Sequence, residues 1–200
     1  MAARAFTLIE MLVVISIVAL LAALVVGINP AATQKKIRNT VETELNQLVT
    51  VIESYKVTKG HYPPDNPNNP ALPPLFYELT GTISTKDGSG NVFKTINGQE
   101  TIASADIRNF FGIDAFINSA PSLEDVKNFH QNLKPGQYKE INITPDVEVL
   151  VVPSRGPEPY ATINPWRYNS SNPTNNPDSF DLWAEVIINK KTVIIGNWKE

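Results

Sequence analysis

Residues Phe6 to Ile28 read FTLIEMLVVISIVALLAALVVGI. From Met11 to Ile28 eighteen residues pass without a charge, and Glu10 is the single charge among the 23. A helix rises ~1.5 Å per residue, so this stretch reaches ~35 Å, enough for a hydrocarbon core of ~30 Å. It is longer than the roughly 7–15 apolar residues of a cleavable secretory signal, and it carries a carboxylate near its start. An acid inside a spanning helix costs roughly 2.5–3.5 kcal/mol even on the lenient insertion scale. A plain anchor gives no reason for Glu10, so the acid needs a partner.

Working outward toward the N-terminus, five residues precede the stretch: Met-Ala-Ala-Arg-Ala, with basic Arg4 and small Ala5. A short basic leader, then Phe-Thr-Leu-Ile-Glu, then an apolar helix resembles the N-terminal signal of type IV pilins and pseudopilins. The resemblance implies cleavage between Ala5 and Phe6 by a prepilin peptidase, followed by methylation of the new Phe6 amine. It also implies the partner for Glu10: the terminal ammonium of a neighbouring subunit, which offsets the burial cost and sets the assembly register. The family usually has Gly before the cut; here the residue is Ala5, still small enough for processing. The charges do not set the orientation. Lys35, Lys36 and Arg38 follow the stretch while only Arg4 precedes it, a balance that by itself favours the wrong end inside. The resemblance implies a single-pass inner-membrane protein with a cytoplasmic N-terminus and a periplasmic head.

Toward the C-terminus, Asn29-Pro30 marks the end of the apolar run, and Pro30 is expected to kink a helix that continues. Ile37, Val41, Leu45, Leu48, Ile52 and Tyr55 follow at spacings of 4, 4, 3, 4 and 3, one face of a 3.6-residue helix. Gly60 then supplies a cap and Pro63-Pro64 a stop. The spacing predicts one kinked helix from Phe6 to Thr58. Lys-Gly-His-Tyr-Pro at 59–63 resembles the exit of the same family's long helix. His61 reads as a loop residue. The proline-dense stretch Tyr62–Leu75 favours extended connector backbone. Pro74–Gly81 reads as a short helix capped by Gly81.

Residues 82–160 read as an atypical insertion that elaborates the head. The pattern there predicts a turn at Lys86–Asn91 and a hairpin at Asn97-Gly98. It predicts helices over 104–116 and 122–133, the second opened by Ser122 and Asp125 as an approximate capping box. It also predicts a strand over 146–152. The last forty residues hold Asn164-Pro165-Trp166-Arg167-Tyr168, Phe180-Asp181-Leu182 and Ile195-Gly196-Asn197-Trp198. Their order resembles the major pseudopilin of type II secretion, whose last strands enclose a calcium-holding loop. In the matching segment Val186–Thr192 is short and carries two lysines, so it reads as a hairpin turn. Calcium wants six to eight oxygens. The candidates left are Asp178, Asp181 and Glu185, with amide oxygens from Asn175 or Asn176. Trp183 and Trp198 read as cross-strand packing.

The rest is exclusion. The 200 residues carry a net charge of −3, which argues against a nucleic-acid partner. Absence of Cys excludes disulfides, thiolate metal sites and thiol catalysis, and two His, His61 and His130, argue against a multi-His metal enzyme. No nucleophile–base arrangement supports an enzyme, and no cofactor is expected beyond the calcium just named. The fold expected is α+β: a leader over 1–5, a helix with a membrane half over 6–28 and an amphipathic half over 29–59, and a head over 60–200. The helix packs on a small antiparallel sheet in that head. The function the resemblance implies is a structural subunit of a type II secretion pseudopilus. Its partners would be the prepilin peptidase, other pilin-like subunits in a homo- or hetero-polymer, the inner-membrane assembly platform and the membrane. The alternatives are a type IV pilus subunit, major or minor, and a membrane-tethered periplasmic binding module.

Overall fold

The computed structural model describes residues 7–26, 30–87, 90–96, 101–141 and 147–199, with the side chains of 23–26, 30 and 87 excepted. The chain divides into two compact units, Met1–Arg38 and Asn39–Glu200.

The first unit contains helix α1, Leu8–Val26, whose described side chains are apolar all round apart from Glu10 and Ser16, and all of them exposed. Those side chains stop at Ala22, and among the described residues no helix is long and apolar enough to cross a membrane. Helix α2 runs Pro30–Lys59. Residues 27–29, across which the expected kinked helix from Phe6 to Thr58 would run, lie outside the described residues. The expected kink at Pro30 adjoins those residues, and α2 is described from Pro30 onward.

In the second unit α2 supplies the wall of the core. Val41, Leu45, Leu48, Ile52 and Tyr55 are 0–4 % exposed, the stripe that the 3.6-residue spacing predicts. Gly60, at φ +84°, closes the helix by donating its N–H to the Lys56 carbonyl at 2.8 Å. The short helix α3, Leu75–Thr80, is buried at every residue. Gly81 ends it at φ +89°, donating to the Tyr77 carbonyl at 2.8 Å; a Cβ there would lie 2.3 Å from a Val126 methyl. Both the backbone angle and the space demand glycine.

Among the described residues the strands form three sheets where one small antiparallel sheet was expected. The first has the order β3-β2-β1-β4, with β1 Thr82–Asp87, β2 Gly90–Thr95, β3 Thr101–Ala103 and β4 Ser119–Ala120. Its β1–β4 pair is parallel. The second pairs β5 Tyr138–Ile141 with β6 Val147–Leu150, and the third orders β7 Arg167–Asn169, β8 Asp181–Ile188 and β9 Lys191–Gly196. The strand expected over 146–152 is thus β6, and residue 146 lies outside the described residues. The α+β class holds. The 82–160 segment shares the head's core: Tyr77 of α3 stacks on Phe116 at 4.5 Å, and Phe111 and Phe93 close edge-on around Phe116.

Two helices of that segment differ from expectation. Helix α4 is Ser104–Phe111, stopped by Gly112 in the left-handed region at φ +72°. Over 122–133 only Leu123–Asp125 make a helical turn, of 3₁₀ type, and the Ser122 side chain accepts from the Glu124 N–H. The reason is tertiary. The N–H groups of Phe129 and His130 both donate to the Leu79 carbonyl, at 2.8 and 3.2 Å, so they are not available to a local helix. Asn97-Gly98 lies outside the described residues, but β2 and β3, which flank it, pair antiparallel. The hairpin expected within Val186–Thr192 joins β8 to β9 through Asn189 and Lys190, both at positive φ.

Candidate assembly site

The residue pattern that makes the N-terminus a helix also disposes of its acid. Thr7 stands just before α1, and its carbonyl accepts from the Met11 N–H at 3.2 Å. Its hydroxyl accepts from the Glu10 N–H at 3.3 Å, while Glu10 Oε2 accepts from the Thr7 N–H at 2.8 Å and the Thr7 hydroxyl at 2.7 Å. This is a reciprocal capping box, Thr-x-x-Glu. Its signal in the sequence is the three-residue step from Thr7 to Glu10 at the start of the apolar run. Both Thr7 bonds go to Oε2, so among the described residues Oε1 is left to accept from another group. Ala5 and Phe6, the expected processing residues, lie outside the described residues.

Two buried acids, Glu78 and Asp65, are used within the head. Glu78, fully buried, accepts from the Tyr55 hydroxyl at 2.8 Å, the Ile117 N–H at 2.7 Å and the Asn118 N–H at 2.9 Å. It ties α2 to α3 and to the entry of β4. Burial pushes its pKa up against the pull of those donors. The sequence gives one faint signal of this role, an acid alone in the apolar hexapeptide Leu75–Thr80. Asp65 accepts from the N–H groups of Ser170 and Ser171, both at 2.9 Å.

The three candidate calcium ligands do not converge. Glu185 Oε1 lies 3.0 Å from Arg167 Nε. Asp181 accepts from backbone N–H groups of the 174–176 turn. Asp178 is exposed. Asp181 and Glu185 are four residues apart on β8, about 13 Å along a strand, and among the described residues no group of three metal-binding side chains forms. Trp183 and Trp198 meet edge-on at 6.1 Å, over Gly196, where a Cβ would lie 2.6 Å from the Trp198 ring.

An open groove of about 1300 Å³ runs between α2 and the 129–137 segment. Its titratable groups are Glu44, His130 and Lys134. Burial raises the Glu44 pKa, opposed by a hydrogen bond from Gln137 and by Lys134. Burial lowers that of His130.

Compared with known proteins, residues 1–26 match the family model of the prokaryotic N-terminal methylation motif. No curated protein and no solved structure matches the chain. The motif is the signature of type IV pilin-like proteins that are cut by prepilin peptidase. It lies where the leader, the capping box and the exposed apolar helix lie.

Proposed function

We propose that this chain, with its prepilin-type N-terminus, is a structural subunit of a type II secretion pseudopilus. In this reading prepilin peptidase cuts between Ala5 and Phe6 and the Phe6 amine is methylated. The subunit then stands in the inner membrane by the 6–28 segment, with its N-terminus cytoplasmic and its head periplasmic. An assembly platform draws it into a filament of pilin-like subunits that drives protein export.

The observation that carries the reading is the methylation motif joined to an acid at the mouth of an apolar helix. The capping box supports it energetically. Thr7 engages Oε2 within the subunit, which eases the desolvation of the carboxylate; in this reading Oε1, which accepts from none of the described residues, takes the ammonium of a neighbour. Pairing the second oxygen with a buried cation completes the neutralisation only in the polymer, so assembly is favoured over the dispersed subunit. The C-terminal order of Trp166-Arg167-Tyr168, Phe180-Asp181-Leu182 and Gly196-Asn197-Trp198 favours the pseudopilus over a pilus.

Two measurements test this. Intact mass of membrane-extracted protein should place the N-terminus at methylated Phe6; retention of Met1–Ala5 would defeat the reading. Glu10→Leu should insert more easily than the wild type yet fail to polymerise as the only copy, because breaking a buried pair on one side costs about 3–5 kcal/mol at each junction. Normal filaments of Glu10→Leu in electron micrographs would refute the pairing role and favour a simple tether.

A further inference from the structure

The segment that joins β7 to β8, residues 170–180, carries three asparagines and three serines and has no regular structure. Such a segment needs a fastener, because its polar groups make no apolar core. Asp181, the first residue of β8, is 2 % exposed and is that fastener. Its Oδ2 accepts from the Thr174 N–H at 2.8 Å, the Asn175 N–H at 2.9 Å, the Asn175 side-chain amide at 3.0 Å and the Thr174 hydroxyl at 3.3 Å. Its Oδ1 accepts from the Asn176 N–H at 2.9 Å. Three successive backbone N–H groups around one anion form a nest, a concavity that binds negative charge. Asn197 seals the other side. It donates to the Phe180 carbonyl at 2.9 Å, and its Oδ1 accepts from the Leu182 N–H at 2.9 Å and the Asn176 amide at 3.2 Å.

The chemistry of this donor set is wrong for a cation. A carboxylate offers about four lone-pair sites, and five donors already point at this one. A calcium ion wants six to eight oxygens at about 2.3–2.6 Å; here it would sit against N–H hydrogens of its own sign. Glu185 is held by Arg167 on the neighbouring strand, with only 7 % of the arginine side chain exposed.

We infer that the buried carboxylate of Asp181 holds the 170–180 segment through these amides, so that the head forms and persists without the calcium ion for which Asp178, Asp181 and Glu185 are the candidate ligands. The inference concerns the head alone and stands whether or not the subunit polymerises.

The test is thermal unfolding of the full chain in detergent micelles, in EDTA and in millimolar calcium. The wild type should melt within about a degree in both. Asp181→Ala should melt at least about 5 °C lower, a large shift for a chain of this size, with calcium giving no rescue. Asn176→Ala keeps its backbone N–H and loses only the amide bonds to Phe180 and Asn197, so it should fold and melt a few degrees lower, again without a calcium effect. A fall of many degrees in EDTA that calcium reverses would overturn the inference. So would an Asp181→Ala protein that melts like the wild type. If Asp181→Ala fails to fold, the wild type and Asn176→Ala decide by their response to calcium.

Discussion

Helices α1 and α2 are neighbours in sequence, yet they handle apolar side chains in opposite ways. In α1 the apolar residues lie on every face and stay exposed, Leu8 by 83 % and Ile15 by 63 %. In α2 the buried apolar residues lie on one face, and Ile52 is 0 % exposed. A helix apolar all round asks for a partner on all sides, and among the described residues the apolar side chains of α1 stay uncovered. A helix apolar on one stripe asks for a single surface, and the head supplies it. The difference separates burial that folding completes from apolar surface that the described residues leave open.

The sharpest way to break that contrast is to make the same substitution in both helices. Ile52→Ala should destabilise the head by about 2–5 kcal/mol, since it removes packed methyl groups and leaves a cavity. Ile15→Ala should leave the head's denaturant midpoint unchanged. Equal losses from both would show that α1 is packed within the subunit after all.

Next in size is the tie between α2 and the head. Glu78→Ala leaves three donors without an acceptor and should cost roughly 3 kcal/mol by chemical denaturation. Its pH dependence has a definite sign. The folded-state pKa of Glu78 is raised by burial above its unfolded value. Its contribution is therefore full below the ordinary glutamate range and declines as pH rises through the folded value. Subtracting the Glu78→Ala curve from the wild-type curve between pH 4 and 8 should expose that decline. Tyr55→Phe removes one donor to the same carboxylate and should cost about 1 kcal/mol, a third of the Glu78 effect; a larger loss would mean the hydroxyl carries the network.

The smallest expected effect belongs to His130, beside α2 in the groove. Burial holds its pKa below the ordinary value. The folded state therefore keeps this stability above the ordinary value of about 6.5 and loses it as pH falls from there through the folded value. His130→Leu should flatten the wild-type decline in melting temperature between pH 7 and 5. An unchanged slope would place the acid sensitivity elsewhere.

Local signals served well where the deciding interaction is local. The α2 stripe needs only spacing, the Gly60 and Gly81 caps need only a residue that tolerates positive φ, and the β8–β9 hairpin needs only a short polar turn between β-branched runs. The failures share a cause of the opposite kind. A helix over 122–133 satisfies its own periodicity, but the Leu79 carbonyl, some fifty residues away, takes two of its N–H donors. Asp178, Asp181 and Glu185 look like one acidic group in the sequence. In the fold each goes separately to water, to the 174–176 N–H groups or to Arg167.

The N-terminal signal, the acid at the start of α1 and the apolar patterns of both helices are legible in the chain alone, because each depends on residues within one or two helical turns. Long-range packing made Glu78 the tie of α2 to the head and seated Asp181 on backbone amides. Only it decided that residues 82–160 share the head's core. Those outcomes depend on which buried carboxylate meets which donors across the chain, and desolvation makes each such meeting decisive while leaving almost no mark in the local pattern.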